Sequence, residues 1–194
     1  MRELTPPFSD ETILALNAGD MVYITGNIYT ARDAAHKKLA ELIKAGEKLP
    51  FDFEGQVVFY AGPAPAKPGK PIGSVGPTTA GRMDLYSPLL ISKGLKVMIG
   101  KGLRSPEVTR AIVTYRGIYF AAIGGAAALM AKCVKSARLI AFDELGTEAI
   151  RELVVEKLPV VVAIDSRGAN LYETGRRKYC RTGSPGFPNT GQSV

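Results

Sequence analysis

Short apolar runs recur along this chain, and segments with helical spacing separate them. Met21–Thr25, Val57–Ala61, Ile72–Val75, Lys96–Ile99, Ile118–Ile123, Arg138–Phe142 and Val160–Ile164 each read as a strand. A helix is expected over Ala31–Lys44, capped by Thr30, because Ala35, Leu39, Leu42 and Ile43 share one face. A second is expected from about Ala80 to Lys93, with Gly94 closing it. A third opens at Ser105-Pro106-Glu107, with cap, proline and acidic residue in favoured order. A fourth follows Gly124-Gly125 over Ala126–Val134. Gly62–Pro71 is a proline-rich connection unfit for regular structure. Strands alternating with helices predict an α/β domain with a largely parallel central sheet.

Residues 1–180 are expected to form one domain, and 181–194 a flexible or extended tail. The longest apolar stretches, such as Ile118–Met130, are too short to span a bilayer. The polar, proline-broken start from Met1 to Pro7 does not read as a signal peptide, so the cytoplasm is expected. A formal charge of +7 suits nucleic acid, an anionic substrate or an acidic partner. Nucleic acid is disfavoured, because the cations are scattered and aromatics make up 8% without a stacking cluster. The charges at Arg176, Arg177, Lys178 and Arg181 read as a solvated tail. Two cysteines, Cys133 and Cys180, and one histidine, His36, cannot build a four-thiolate iron–sulfur or zinc site alone. Cys133 reads as a buried structural thiol.

The chemistry is expected where three cations meet helix starts. Arg32 follows the first strand, Arg82 follows the Thr78-Thr79 turn, and Lys101 lies in Ile99-Gly-Lys-Gly102 just before the Ser105 helix. A cation at a helix N-terminus is unfavourable by ~0.3–1 kcal/mol. Repetition of that placement along one sheet edge points to a bound anion at the carboxyl ends of the strands. Gly76-Pro77 suits a turn and Thr79 a helix N-cap, so Gly73–Asp84 is suited to hold a carboxylate or phosphate. Thr78 reads from its spacing first as a hydrogen-bonding turn residue, and as the candidate for reaction chemistry if Arg82 and Lys101 supply the cationic surroundings that a hydroxyl base needs. His36 shares a helix face with Arg32 and reads as a supporting residue, with a structural hydrogen bond favoured. Gly76, Gly102, Gly124 and Gly125 read as supporting turns that admit close backbone approach. Asp33 and Asp84 read as helix-start charges and salt-bridge partners rather than acids.

Leu4-Thr-Pro-Pro, Gly26–His36, Tyr60–Pro63, Gly76–Asp84, Ile99–Gly102 and Gly124–Ala128 stand in an order that resembles the β subunit of two-subunit class I fumarate hydratases. That subunit is equivalent to the C-terminal domain of the single-chain forms. The resemblance implies a swivelling β/β/α fold and reversible hydration of fumarate to L-malate by an oxygen-sensitive 4Fe–4S enzyme. It implies that the cluster's cysteines belong to an α subunit, paired with this chain as a heterodimer or α2β2 heterotetramer. By the same resemblance Arg32, Thr79, Arg82 and Lys101 bind the dicarboxylate, and Thr78 removes the malate C3 proton. An aspartate acid and a histidine would come from the α subunit.

L-tartrate dehydratase β subunits are similar in the same motifs and form the alternative within this chemistry. A non-catalytic anion-binding or assembly module is the alternative outside it. An obligate subunit is expected to expose an apolar patch, through which the isolated chain could pair as a β–β homodimer.

Overall fold

The computed structural model describes residues 2–179. Its strands are β1 (Arg2–Leu4), β2 (Met21–Thr30), β3 (Val57–Phe59), β4 (Val97–Gly100), β5 (Ile118–Ala121), β6 (Val134–Ala141) and β7 (Ile150–Ile164). Its α-helices are α1 (Asp10–Leu14), α2 (Asp33–Ala45), α3 (Ser87–Ser92), α4 (Pro106–Thr114), α5 (Ala127–Cys133) and α6 (Leu171–Tyr179). Two 3-10 segments, Ala80–Met83 and Asp143–Glu148, lie beside the candidate site.

The sheet is mixed and mostly parallel. β1 through β5 pair in parallel succession, while β7 runs antiparallel to β2, β5 and β6. Because β7 joins β5 on one side and β2 on the other, strands β2, β3, β4, β5 and β7 close into a ring. Side-chain alternation then sorts the core in two. Val57, Phe59, Val97, Ile99, Ile118 and Phe120 pack inside the ring with Ile24, Ile28 and Val162. The intervening Val58, Met98 and Tyr119 pack outside, against Leu39 of α2, Leu90 of α3 and Ile112 of α4. With both faces covered, β3 and β4 are apolar and buried throughout, as parallel strands require. Each such aliphatic or aromatic side chain contributes ~1.5–3 kcal/mol through burial. This is the α/β architecture expected from the alternating pattern.

β7 contains Pro159, paired with Tyr23 of β2. Its other edge is engaged by β6 up to Val155 and by β5 from Val161, so the residue without an N–H falls between those two ladders.

Several expected details differ. Ile72–Val75 is not a strand: Gly73 N–H donates to Ala64 O at 3.0 Å, and Ala64 N–H to Ser74 O at 2.9 Å. The segment folds back on the proline-rich connection through Gly73 and Ser74, while Val75 N–H donates to Ala127 O at 3.2 Å. The long helix from Ala80 to Lys93 is two pieces, because Pro88 begins α3 anew. Gly94 does end it, at φ +104°. Thr30 does not cap α2; it is the last residue of β2, and its buried hydroxyl accepts Arg151 N–H at 3.2 Å. Ser105 caps α4 as expected, accepting Val108 N–H at 3.3 Å. The polar start contributes β1 despite its prolines. Arg176 and Arg177 belong to α6 and not to a tail. Cys180 and the expected tail at 181–194 lie outside the described residues.

Candidate functional site

The turn at Pro77-Thr78-Thr79 is stitched to the ends of β3 and β4. Thr78 N–H donates to Tyr60 O at 2.7 Å, just past β3. Lys101, just past β4, donates its N–H to Thr78 O at 3.2 Å, and Lys101 O accepts Ala80 N–H at 2.8 Å. Thr79 and Lys101 thus form an isolated parallel bridge. The turn behaves as a short extra rung where the two strands deliver their carboxyl ends, and it holds Thr78 and Lys101 side by side. Gly102 takes φ +84°, a conformation a side chain would strain. Its N–H donates to the Tyr172 hydroxyl at 3.0 Å, and its carbonyl accepts from the Tyr119 hydroxyl at 3.1 Å. The turn after Lys101 is therefore pinned from α6 and β5.

Arg82 and Arg32 join this mouth through Asp33. Arg82 Nη2 donates to Asp33 Oδ2 at 2.7 Å, and Arg32 Nε stands 3.7 Å from Asp33 Oδ1. Arg32 Nη2 lies 3.2 Å from Glu148 Oε1. The row Arg82–Asp33–Arg32–Glu148 alternates in sign and is internally neutral. Arg82 lies in the last turn of the 3-10 segment Ala80–Met83 and does not begin an α-helix, so the helix-start placement read from sequence does not hold for it. Arg32 is the N-cap of α2 and offers it no side-chain bond. Lys101 has no carboxylate within ion-pair distance among the described residues.

Beneath the mouth lies a buried layer. Arg104 has a fully buried side chain, bonded to Asp84 Oδ1 at 2.7 Å and to the Ser87 hydroxyl at 2.8 Å. Its guanidinium lies 5.3 Å from the Tyr60 ring centre and 5.0 Å from that of Tyr119. Burial opposes the Arg104 charge, but Tyr60 and the Asp84 carboxylate outweigh it and hold its pKa above the usual value. The other Asp84 oxygen accepts Ser105 N–H, tying the Arg82 turn to the start of α4. Burial likewise pushes the Tyr119 hydroxyl pKa up.

His36 belongs to this layer and not to the mouth. It is wholly buried, and its Nδ1–H donates to the Arg32 carbonyl at 2.8 Å, which fixes the proton on Nδ1. Burial lowers its pKa to about 4, against the opposing pull of that hydrogen bond. Its ring meets Tyr60 edge-on at 5.0 Å, and both His36 Nε2 and the Tyr60 hydroxyl are buried without a partner. The expected supporting role is thus structural, toward a backbone carbonyl.

Thr78, Thr79, Lys101, Arg82 and Arg32 are brought together by this set of contacts. Gly124 is exposed at the rim, where an added Cβ would lie 3.7 Å from Lys101 Cδ, and Gly125 faces open space. Gly76 instead packs on α5, where a Cβ would stand 2.9 Å from Ala127 Cβ. Exposed apolar side chains flank the mouth in sequence: Leu85 just beyond Arg82, Leu103 just beyond Lys101, and Ile123 directly before Gly124. Sequence reasoning missed Arg104 and Glu148, and gave no role to Tyr60 and Gly62 although both lie in the Tyr60–Pro63 motif. Arg104 carried one signal, as an arginine directly before a helix cap that ends up fully sealed. Glu148 carried none, because its partners lie over a hundred residues away.

Among the described residues, no group of three or more histidine, cysteine or acidic side chains is placed to hold a metal ion. Cys133 is a half-buried free thiol, with its pKa raised by burial. No helix of the described residues is long and apolar enough to cross a membrane.

Comparison with known proteins bears on this geometry. A family model described as the fumarase C-terminus matches residues 3–175. The chain is 44% identical over 159 residues to the anaerobic class I fumarate hydratase of Escherichia coli (strain K12), covering 81% of this chain and 29% of that protein. It is 42% identical over 152 residues to the mitochondrial fumarate hydratase 1 of Leishmania major, covering 77% and 28%. It is 41% identical over 169 residues to a putative L(+)-tartrate dehydratase subunit beta of Methanocaldococcus jannaschii, covering 84% and 87%. The chain therefore spans under a third of the two fumarate hydratases and most of the tartrate dehydratase subunit.

Proposed function

This chain belongs to the fumarase C-terminus family, and from that premise we propose that it is the substrate-clamping half of an iron–sulfur hydro-lyase. The reaction is reversible hydration of fumarate to L-malate, with an active site completed by a companion α subunit. The observation that carries this reading is the gathering of Arg32, Arg82, Lys101 and Thr78 at one mouth, at the carboxyl ends of β2 and β4. Two guanidiniums and an ammonium suit a dianion, and planar guanidinium forks match carboxylates.

Arg32 and Arg82, cross-linked through Asp33, hold one end of the diacid, and Lys101 draws in the other. In the dehydration direction the Thr78 oxygen, as the alkoxide, takes the C3 proton and becomes a hydroxyl, while the C2–O bond breaks and the hydroxyl leaves as water, protonated by an acid of the companion subunit. Lys101 and Arg82 provide the cationic surroundings in which that oxygen acts as a base. Thr79, bridged to Lys101, orients the substrate beside it. The 4Fe–4S cluster enters this reading only as a group on the companion's cysteines, because the described residues offer no ligand set. The exposed Leu85, Leu103 and Ile123 suit coverage by that companion. The reading places the assembly in the cytoplasm.

The test is anaerobic co-production with the companion polypeptide and measurement of fumarate hydration, with each polypeptide alone as control. Turnover is expected only from the pair, and Thr78→Val should lower kcat far more than it changes KM. A cluster-bearing pair that dehydrates L-tartrate and ignores fumarate would favour the second reading, which the near-complete coverage of the tartrate dehydratase subunit supports. A pair that binds diacids with no turnover would leave an anion-binding module.

A further inference from the structure

Arg32 is held by more than its own helix. An added Cβ on Gly62 would stand 2.8 Å from Arg32 Nη1, 2.9 Å from Arg32 Cδ and 3.1 Å from Thr147 O. Gly62 is therefore the floor of a slot against which the Nη1–Cδ edge of the Arg32 side chain rests, with the 3-10 segment Asp143–Glu148 as its wall. Glu148 closes the slot. Its Oε1 lies 3.2 Å from Arg32 Nη2, while its Oε2 accepts Ala34 N–H at 3.0 Å. Since α2 has no side-chain cap of its own, this carboxylate caps the helix from across the fold. Both partners are about one-fifth exposed, at 20% and 22%, so the pair is sheltered without being sealed.

We infer that Glu148 is a positioning residue for the Arg32 clamp, with Gly62 as the floor that lets the guanidinium lie there. One carboxylate oxygen engages one amino group of a fork with five N–H donors, so the fork is tethered while donors remain for a ligand carboxylate. The same residue sets the start of the helix that carries Arg32, so side chain and backbone are aligned by one group. The inference rests on Arg32 being a carboxylate clamp, as proposed above.

The test is Glu148→Gln, which keeps an oxygen for Ala34 N–H but removes the charge, alongside Arg32→Ala and the double variant. In the assembled enzyme, Glu148→Gln is expected to raise KM for the diacid by roughly tenfold to a hundredfold with kcat little changed. In the Arg32→Ala background the same change should add nothing, because both act through one guanidinium. An unchanged KM, or fully additive effects, would overturn the inference. If the wild-type pair turns over no diacid, the functional reading fails separately. Guanidinium NMR on the full chain then decides about Glu148. A hindered Arg32 signal that becomes motionally averaged in Glu148→Gln supports the inference, whereas an averaged signal in the wild type sinks it.

Discussion

Arg104 and Arg82 each meet an aspartate at the same 2.7 Å, yet the two pairs live in different solvents. The Arg104 side chain is 0% exposed and Asp84 13%, while Arg82 is 50% exposed and Asp33 29%. In the sealed pair every oxygen of Asp84 is committed, one to Arg104 and one to Ser105 N–H. In the open pair Asp33 Oδ1 and Arg32 Nε are buried, unpartnered and 3.7 Å apart, an incomplete bond. Distance alone therefore does not say what an ion pair is for. The sealed pair is scaffold, joining the Arg82 turn to α4; the open pair leaves the Arg82 guanidinium half exposed to solvent.

This contrast breaks or sharpens under substitution. The largest effect is expected from Arg104→Met, which leaves the buried Asp84 carboxylate without its charge partner and should cost ~3–5 kcal/mol in denaturant unfolding of the full chain. A loss below 1 kcal/mol would erase the distinction. Next comes pH, through His36, which touches both layers by way of Tyr60 and the Arg32 carbonyl. Its folded pKa of about 4 lies below the ordinary 6.5, so the unfolded chain binds more protons between those values. Stability should fall as pH drops through that window, approaching ~3 kcal/mol lost below it. Unfolding free energies measured from pH 7 to 4 should lose that slope in His36→Gln. The smallest effect is expected from Arg82→Ala, under ~1 kcal/mol on stability because the pair is solvated. Its cost should appear in diacid KM instead.

The sequence made the alternation of strands and helices legible because β3, β4 and β5 are apolar runs bounded by turn residues. It hid the ring closure, since nothing local in β7 announces that one strand pairs with β2, β5 and β6. The Ile72–Val75 error has the same origin: Ile72 and Val75 are buried, but the backbone bonds of Gly73 and Ser74 go to the proline-rich connection and that of Val75 goes to Ala127. At the candidate site, cations placed at strand ends pointed to Arg32, Arg82 and Lys101, and the family motifs pointed to the same three. What periodicity could not supply were their counter-charges. Asp33 was visible as a salt-bridge partner because it is Arg32's neighbour. Glu148 was invisible because folding alone makes it one.

The pairing of β2 with β7, Met21 against Val161, also imposes an order in time. β2 leaves the ribosome well ahead of β7, and contacts of such long range form slowly. Until then β2 presents an unsatisfied edge, the kind that recruits foreign strands. Arg32 is made before the slot that receives it, because Thr147 and Glu148 arrive just ahead of β7. The clamp and the closed ring are thus expected to mature together, so that an unfinished chain carries cations without carrying a site.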